Sequence, residues 1–220
     1  VRHELRTFED VETLARAAAA FVAERARDVL ARDAHFTLAL SGGKSPWLMV
    51  KDLVNEGVAW DQTTIYQVDE RVAPEGSDVR NLTHLRDSLA STTALIEPME
   101  VNDDDLDEAA RRYALKLPDH LDVVHLGLGP DGHCASLVPN DPVLEVTDRL
   151  VALSNPYQDT RRMTLTYPAL ANADQLLWLV SGEDKRDALE KLLDGDTSIP
   201  AGRVDAAASL VLCDRQALRP

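Results

Sequence analysis

Only two cysteines, Cys134 and Cys213, occur in the 220 residues, too few for a disulfide framework. No stretch of about 18 uncharged apolar residues exists, so no membrane span is expected. The longest apolar run near the start, Ala17 to Ala23, lacks a signal-peptide layout and sits inside a charged helical pattern. His-x-His and Cys-x-x-Cys spacings are missing, which removes the usual sequence signals for a metal. There is no internal repeat, low-complexity linker or heptad array. Together these absences predict a cytoplasmic protein with reduced thiols.

Positive charge is also scarce. Lys and Arg number 23 against 38 Asp and Glu, a formal net charge of −15. A phosphate backbone would be repelled over most of such a surface, which argues against a nucleic-acid partner. A small phosphorylated ligand remains compatible, because a few Lys and Arg side chains plus a helix N-terminus hold one phosphate against the global field. The acid run Asn102-Asp103-Asp104-Asp105 reads as a helix start, where acids are favoured.

What is present is ordinary globular material, 45 % hydrophobic and 28 % charged, in a chain long enough for one full-sized domain. Glu9 to Ala31 reads as a long Ala-rich helix. Phe36 to Leu40 and Thr63 to Val68 read as strands. Pro46 suits the first position of a helix running to about Asn55. Asp69 to Arg80 reads as a charged loop, Asn81 to Leu89 and Leu106 to Lys116 as helices, and Asp122 to Leu126 as a strand. Pro139 to Asp159, with three prolines, reads as a functional loop holding short strands. Arg162 to Thr166, Gln175 to Val180 and Ser209 to Leu212 complete the strands, and Glu183 to Leu193 the helices. Apolar strands alternating with helices predict an α/β fold in a single domain, 1–220, with a mostly parallel, Rossmann-like sheet flanked by helices on both faces.

Four clusters carry chemistry. Ser41-Gly42-Gly43-Lys44-Ser45-Pro46 follows a strand and precedes a helix, so its backbone N–H groups, its hydroxyls and Lys44 suit an anion. It is not a Walker A loop, and a plain tight turn is the alternative. Asp69-Glu70-Arg71 closes an apolar strand. There Arg71 suits a phosphate or carboxylate, and Asp69 suits sugar hydroxyls or the orientation of a base. A surface salt bridge is the alternative. In Gly127-Leu128-Gly129-Pro130-Asp131-Gly132-His133, a strand ends in a glycine-rich turn that offers His133 as a proton carrier with Asp131 two residues away. A helical pattern follows it, and a capping role for His133 is the alternative. Ser181-Gly182-Glu183-Asp184-Lys185 repeats the strand, Gly, helix-start order, and Lys185 either reaches a phosphate or is a solvated helix lysine. His125 reads as a satisfied core or cleft-wall residue. Cys134, Trp47, Trp60 and Trp178 read as packing residues.

In this order, the four clusters resemble the 6-phosphogluconolactonase family. Arg162-Met163-Thr164-Leu165-Thr166 and the closing Leu212-Cys213-Asp214 extend the likeness over nearly the whole chain. That family belongs to a larger group with glucosamine-6-phosphate deaminase and ribose-5-phosphate isomerase, whose fold is shared by CoA transferases. The most specific pieces are Asp-Glu-Arg and Asp131 to Pro139. The resemblance implies hydrolysis of 6-phosphogluconolactone without a metal or organic cofactor. It places His133 as general base, Arg71 on the phosphate, and Ser41, Gly42, Gly43 and Ser45 in the phosphate or sugar loop. Lys185 matches a phosphate-holding lysine of the deaminases. Asp131 would orient His133, and the two Gly-rich turns, the one with Gly42 and Gly43 and the one with Gly129 and Gly132, would supply oxyanion donors. Lys44-Ser45 stands where the lactonases more often carry Ser-Thr. Asn155-Pro156-Tyr157 replaces a Ser-Pro-Lys segment, so Tyr157 stands for a family lysine, with Lys44, Arg161 or Arg162 left to restore the positive contact. The expected partner is a small sugar-phosphate lactone, with no nucleic acid or membrane, and the expected state is a monomer or small homo-oligomer. The competing readings are a deaminase-like aldose–ketose isomerase and a non-catalytic sugar-phosphate-binding module. Arg71 and Ala135-Ser136-Leu137-Val138 argue against the first, whose members carry Asp-Glu-Tyr and Ala-Phe-Asn-Glu.

Overall fold

A computed structural model describes residues 2–218. Its centre is a seven-stranded sheet in the order β1-β10-β9-β6-β2-β3-β5, with every neighbouring pair parallel. These strands are β1 (His3–Phe8), β2 (Phe36–Leu40), β3 (Thr63–Gln67), β5 (Leu95–Glu97), β6 (Val123–Gly127), β9 (Gln175–Val180) and β10 (Ala208–Asp214). A second, antiparallel sheet joins β4 (Asp69–Arg71), β8 (Thr160–Leu165) and β7 (Val151–Tyr157). The helices are α1 (Val11–Leu30), α2 (Lys44–Leu53), α3 (Asn81–Leu89), α4 (Leu106–Ala114), α5 (Tyr167–Ala171) and α6 (Arg186–Leu193).

The side-chain period of two sorts the strands onto two cores. Leu38, Leu40, Leu177, Leu179, Leu210 and Leu212 face α1, α2 and α3. Ala39, Leu176, Trp178, Val180, Val211 and Cys213 face α4, α5, α6 and the small sheet. Asp10 caps α1 through a reciprocal pair with Thr13. Asp105 caps α4 by accepting from Glu108 N–H, so the acid run is a helix start.

Several local readings change. Asp69–Arg71 is a strand rather than the start of a loop, because it pairs with β8. Pro46 is the third residue of α2, not its first. No helix follows His133: Ala135 takes a φ of 51° and the chain turns on through Leu137. Glu183–Lys185 is a 3-10 turn leading into α6. The edge strands β1 and β5 carry no clear alternation; β1 is mostly exposed. His125 is buried in β6, but neither ring nitrogen has a hydrogen-bond partner among the described residues. Desolvation pushes its pKa down to about 3, so the ring is neutral. No helix among the described residues is long and apolar enough to cross a membrane.

In a parallel sheet all the C-terminal strand ends share one side. Strand order turns back between β2 and β6, which are neighbours. A crevice outside the carboxyl ends at such a switch point is where open α/β sheets bind ligands.

Candidate active site

A cleft of about 690 Å³ lies at that switch point. Ser41, Gly42, Gly43, Lys44 and Ser45 line it from the end of β2, Asp69 and Arg71 from β4, and Gly129 and His133 from the turn after β6. Arg162 of β8 and Lys185 complete the predicted residues there. Asp131 and Gly132 are not in the lining. Gly132 has a φ of +82°, and a Cβ there would meet Ile199.

Asp131 stands behind His133. Its Oδ1 lies 2.6 Å from His133 Nδ1 and accepts from the His133 backbone N–H at 3.2 Å. Partial burial pulls the Asp131 pKa up, but the bonds and charge from His133 outweigh it and hold the carboxyl below its usual range. An ionised carboxylate only accepts, so in the neutral imidazole it selects the tautomer with the proton on Nδ1, which leaves the lone pair on Nε2. Gly129 is required beneath this ring: a Cβ there would sit 2.0 Å from His133 Nδ1.

The strand β4 alternates. Asp69 and Arg71 face the cleft, while Glu70 points away and is fully buried. Glu70 accepts from the backbone N–H groups of Asn81 and Leu82, both at 2.8 Å, and from Gln67 Nε2 at 2.9 Å. It thereby caps α3 from a distant strand, and Arg80 pairs with it at 3.4 Å. The triplet is therefore a buried hub, not a surface salt bridge. Asp69 accepts from Ser136 Oγ at 2.6 Å and from Asn81 Nδ2 at 3.2 Å. Arg71 donates to Asn81 Oδ1. Asn81 thus holds both ends of the motif's cleft face, and Gly42 must be glycine because a Cβ would meet Asn81 Oδ1 at 1.8 Å.

Four cations gather on one cleft of a strongly acidic chain. Arg71 and Arg162 are register partners across β4 and β8, and Lys44 and Lys185 line the same space. Arg162 is buried, and its Nε has no hydrogen-bond partner among the described residues. Burial lowers its pKa, and the like charge of Arg71 adds to the effect. Two nearby carboxylates are already engaged: Asp69 as above, and Asp214 by Ser181 Oγ and the Gly182 N–H. Arg161, a candidate for the missing lysine's contact, does not line the cleft.

The turn after β6 is a poor source of oxyanion donors. Gly129 N–H is bonded to His133 O at 2.8 Å and Gly132 N–H to Gly129 O at 3.0 Å. The start of α2 carries no side-chain cap, so its first amides, with Gly43 at the N-cap, are better placed for an anion. Among the described residues, no group of three His, Cys, Asp or Glu side chains is arranged to hold a metal ion.

Sequence reasoning missed Asn81, Glu70's capping role and Ser136. It also missed what Tyr157 does: its hydroxyl lies 3.2 Å from Asp131 Oδ2, and its ring packs edge-on to His133 with centroids 5.3 Å apart.

The family model described as glucosamine-6-phosphate isomerases/6-phosphogluconolactonase matches residues 9–212. The chain belongs to this family. A relative from Mycobacterium bovis named 6-phosphogluconolactonase is 34 % identical over 204 residues, covering 82 % of this chain and 83 % of its own. A relative of the same name from Streptomyces coelicolor is 30 % identical, covering 94 % and 87 %. The crystal structure of 6-phosphogluconolactonase from Thermotoga maritima superposes with a TM-score of 0.88 at 24 % identity, over 97 % of this chain and all of that one. A monomeric glucosamine-6-phosphate deaminase superposes with 0.86 at 20 %, over 97 % and 98 %. The fold is thus common to both activities, and the side chains of the cleft must separate them.

Proposed function

We infer that this chain hydrolyses 6-phospho-D-glucono-1,5-lactone to 6-phospho-D-gluconate, the second step of the oxidative pentose phosphate pathway. The observation that carries the reading is that His133 and Arg71, far apart along the chain, line one cleft. The names of the curated relatives support the same substrate.

Hydrolysis of a lactone needs an activated water, a stabilised oxyanion and a protonated leaving oxygen. Asp131 holds the Nδ1 proton of His133, so Nε2 takes the proton from water as it attacks the carbonyl carbon. The carbonyl oxygen becomes an oxyanion that backbone N–H groups stabilise. As the tetrahedral intermediate collapses, the ring C–O bond breaks and the imidazolium returns its proton to the departing oxygen. Arg71, Arg162, Lys44 and Lys185 supply the positive charge that holds the phosphate and positions the carbonyl. Lys44, Ser41 and Ser45, with Gly42 and Gly43, form the loop against the sugar phosphate. Asp69 shapes the site through Asn81 and Ser136 instead of moving a proton.

The test generates the lactone from glucose 6-phosphate with glucose-6-phosphate dehydrogenase and follows its loss, with ammonia release from glucosamine 6-phosphate assayed in parallel. Lactone loss far above the spontaneous rate, with no ammonia, is expected. Decay at the spontaneous rate overturns the reading, and ammonia release would move the chain to the deaminases.

A further inference from the structure

We propose that Tyr157 is a positioning residue for the catalytic base, acting through Asp131. This rests on the assignment of His133 as the base.

The fold delivers Tyr157 to this place by identifiable means. Pro156 has no N–H for a ladder bond, and the pairing of β7 with β8 shifts register between Ser154 and Tyr157. Pairing resumes at Tyr157 and Thr160, and the chain reverses on Gln158 and Asp159, with φ of 51° and 62°. Two consecutive left-handed residues make a tight hairpin whose position along the strands is fixed. The phenol is thereby set over the turn that follows β6.

Three groups meet there. Asp131 Oδ2 accepts from the Tyr157 hydroxyl at 3.2 Å, while Oδ1 accepts from His133. Each carboxylate oxygen therefore has its own donor, and the plane of the carboxylate is set from both sides. Burial and the nearby Asp131 charge raise the Tyr157 pKa, which keeps the phenol protonated as a donor. The ring edge also abuts the imidazole, restricting its rotation. Arg162 lies against the same ring, 5.1 Å from its centroid, and donates to the Tyr157 carbonyl oxygen. Asp131 is a third exposed and lies outside the cleft lining. Without the phenol the carboxylate is held through Oδ1 alone, by the His133 ring and backbone N–H, so Oδ2 can swing toward solvent and the grip on the Nδ1 proton loosens.

The phenol's work is separable from the ring's. Tyr157→Phe removes only the donor and keeps the ring against both His133 and Arg162. We expect kcat to fall about three- to ten-fold, the worth of one hydrogen bond, with KM unchanged. In an Asp131→Asn background, the same change should cost nothing further, because the path through the carboxylate is already broken. The ring nitrogens of His133, assigned by nitrogen-15 NMR of the free protein against His133→Gln, should show more of the Nε2–H tautomer in Tyr157→Phe than in wild type. An unchanged kcat overturns the proposal. So does a lower kcat with an unchanged tautomer, or an equal loss in the Asp131→Asn background. The tautomer measurement uses no substrate, so a protein inactive on the lactone still tests the positioning role.

Discussion

Ser136 Oγ donates to Asp69 Oδ2 at 2.6 Å, joining two segments 67 residues apart in sequence. Both groups are buried. The bond ties the strand that carries Arg71 to the segment that follows His133, and so fixes the distance between the two ends of the cleft. Ser136→Ala leaves Asp69 with Asn81 as its side-chain donor. We expect a loss of about 1–3 kcal/mol in unfolding free energy, measured in denaturant. A loss of turnover at constant thermal stability would instead give the hydroxyl a direct part in the reaction.

His133→Ala should lower turnover by about 10² to 10⁴ while leaving the affinity for 6-phosphogluconate within a few-fold. Calorimetry of the product with the variant checks the binding half. Near-full turnover would remove His133 from the role of base.

Arg71→Ala should weaken 6-phosphogluconate binding by about ten- to a hundred-fold, the range for a hydrogen bond to a charged group. Arg71→Lys should recover only part of it. The guanidinium spends one nitrogen on Asn81 and has others to offer, whereas an ammonium is a single point. Equal affinity of wild type and Arg71→Ala would place the phosphate elsewhere.

Gly129 is not among the residues with positive φ, so alanine meets no backbone strain there. Its methyl would nonetheless lie 2.0 Å from His133 Nδ1. Gly129→Ala should therefore displace the imidazole and lower kcat by at least about ten-fold. Stability should be recovered when the ring is removed as well, in Gly129→Ala combined with His133→Ala. A strong destabilisation that persists without the ring would point to Asp131, whose Oδ1 the same methyl would meet.

His125 gives stability a pH dependence. Its folded pKa is held to about 3 by burial, against 6.5 for the ordinary group. Between those values the unfolded chain binds a proton that the folded chain refuses, so stability falls as pH drops from 6.5 towards 3. The slope is about 1.4 kcal/mol per pH unit at most for this one group. His125 pairs in register with Leu40 and Leu177. Leucine at 125 should flatten the acid limb of a stability-against-pH curve and raise stability at pH 5. An unchanged limb would mean that other groups set it.

The sheet was legible because its inner strands are buried on both faces: Phe36–Leu40 is apolar but for Thr37, and Gln175–Val180 is apolar after its first residue. The edges were not legible: β1 and β5 have little apolar pattern, since one side of each meets solvent or a loop. The four site clusters were visible for a topological reason. Each begins at or just beyond the carboxyl end of β2, β3, β6 or β9, and parallel pairing brings those ends together. Asn81 was invisible because its role depends on α3 docking beneath Gly42. The capping role of Glu70 was missed because a charged triplet gives no sign of which member is inside. Tyr157 was noticed only as a missing cation. Its use as a donor depends on where a bulged hairpin aims it, which spacing alone does not encode.

Cys134 directly follows His133, yet its thiol is buried, and desolvation raises its pKa far above the usual range. Thiolate is the reactive form, so an alkylating reagent meets no nucleophile beside the imidazole while the chain is folded. Any labelling at that position clocks the unlatching of the segment itself. The protein thus carries, one residue from its proposed base, a chemical stopwatch for the breathing of the loop that holds it.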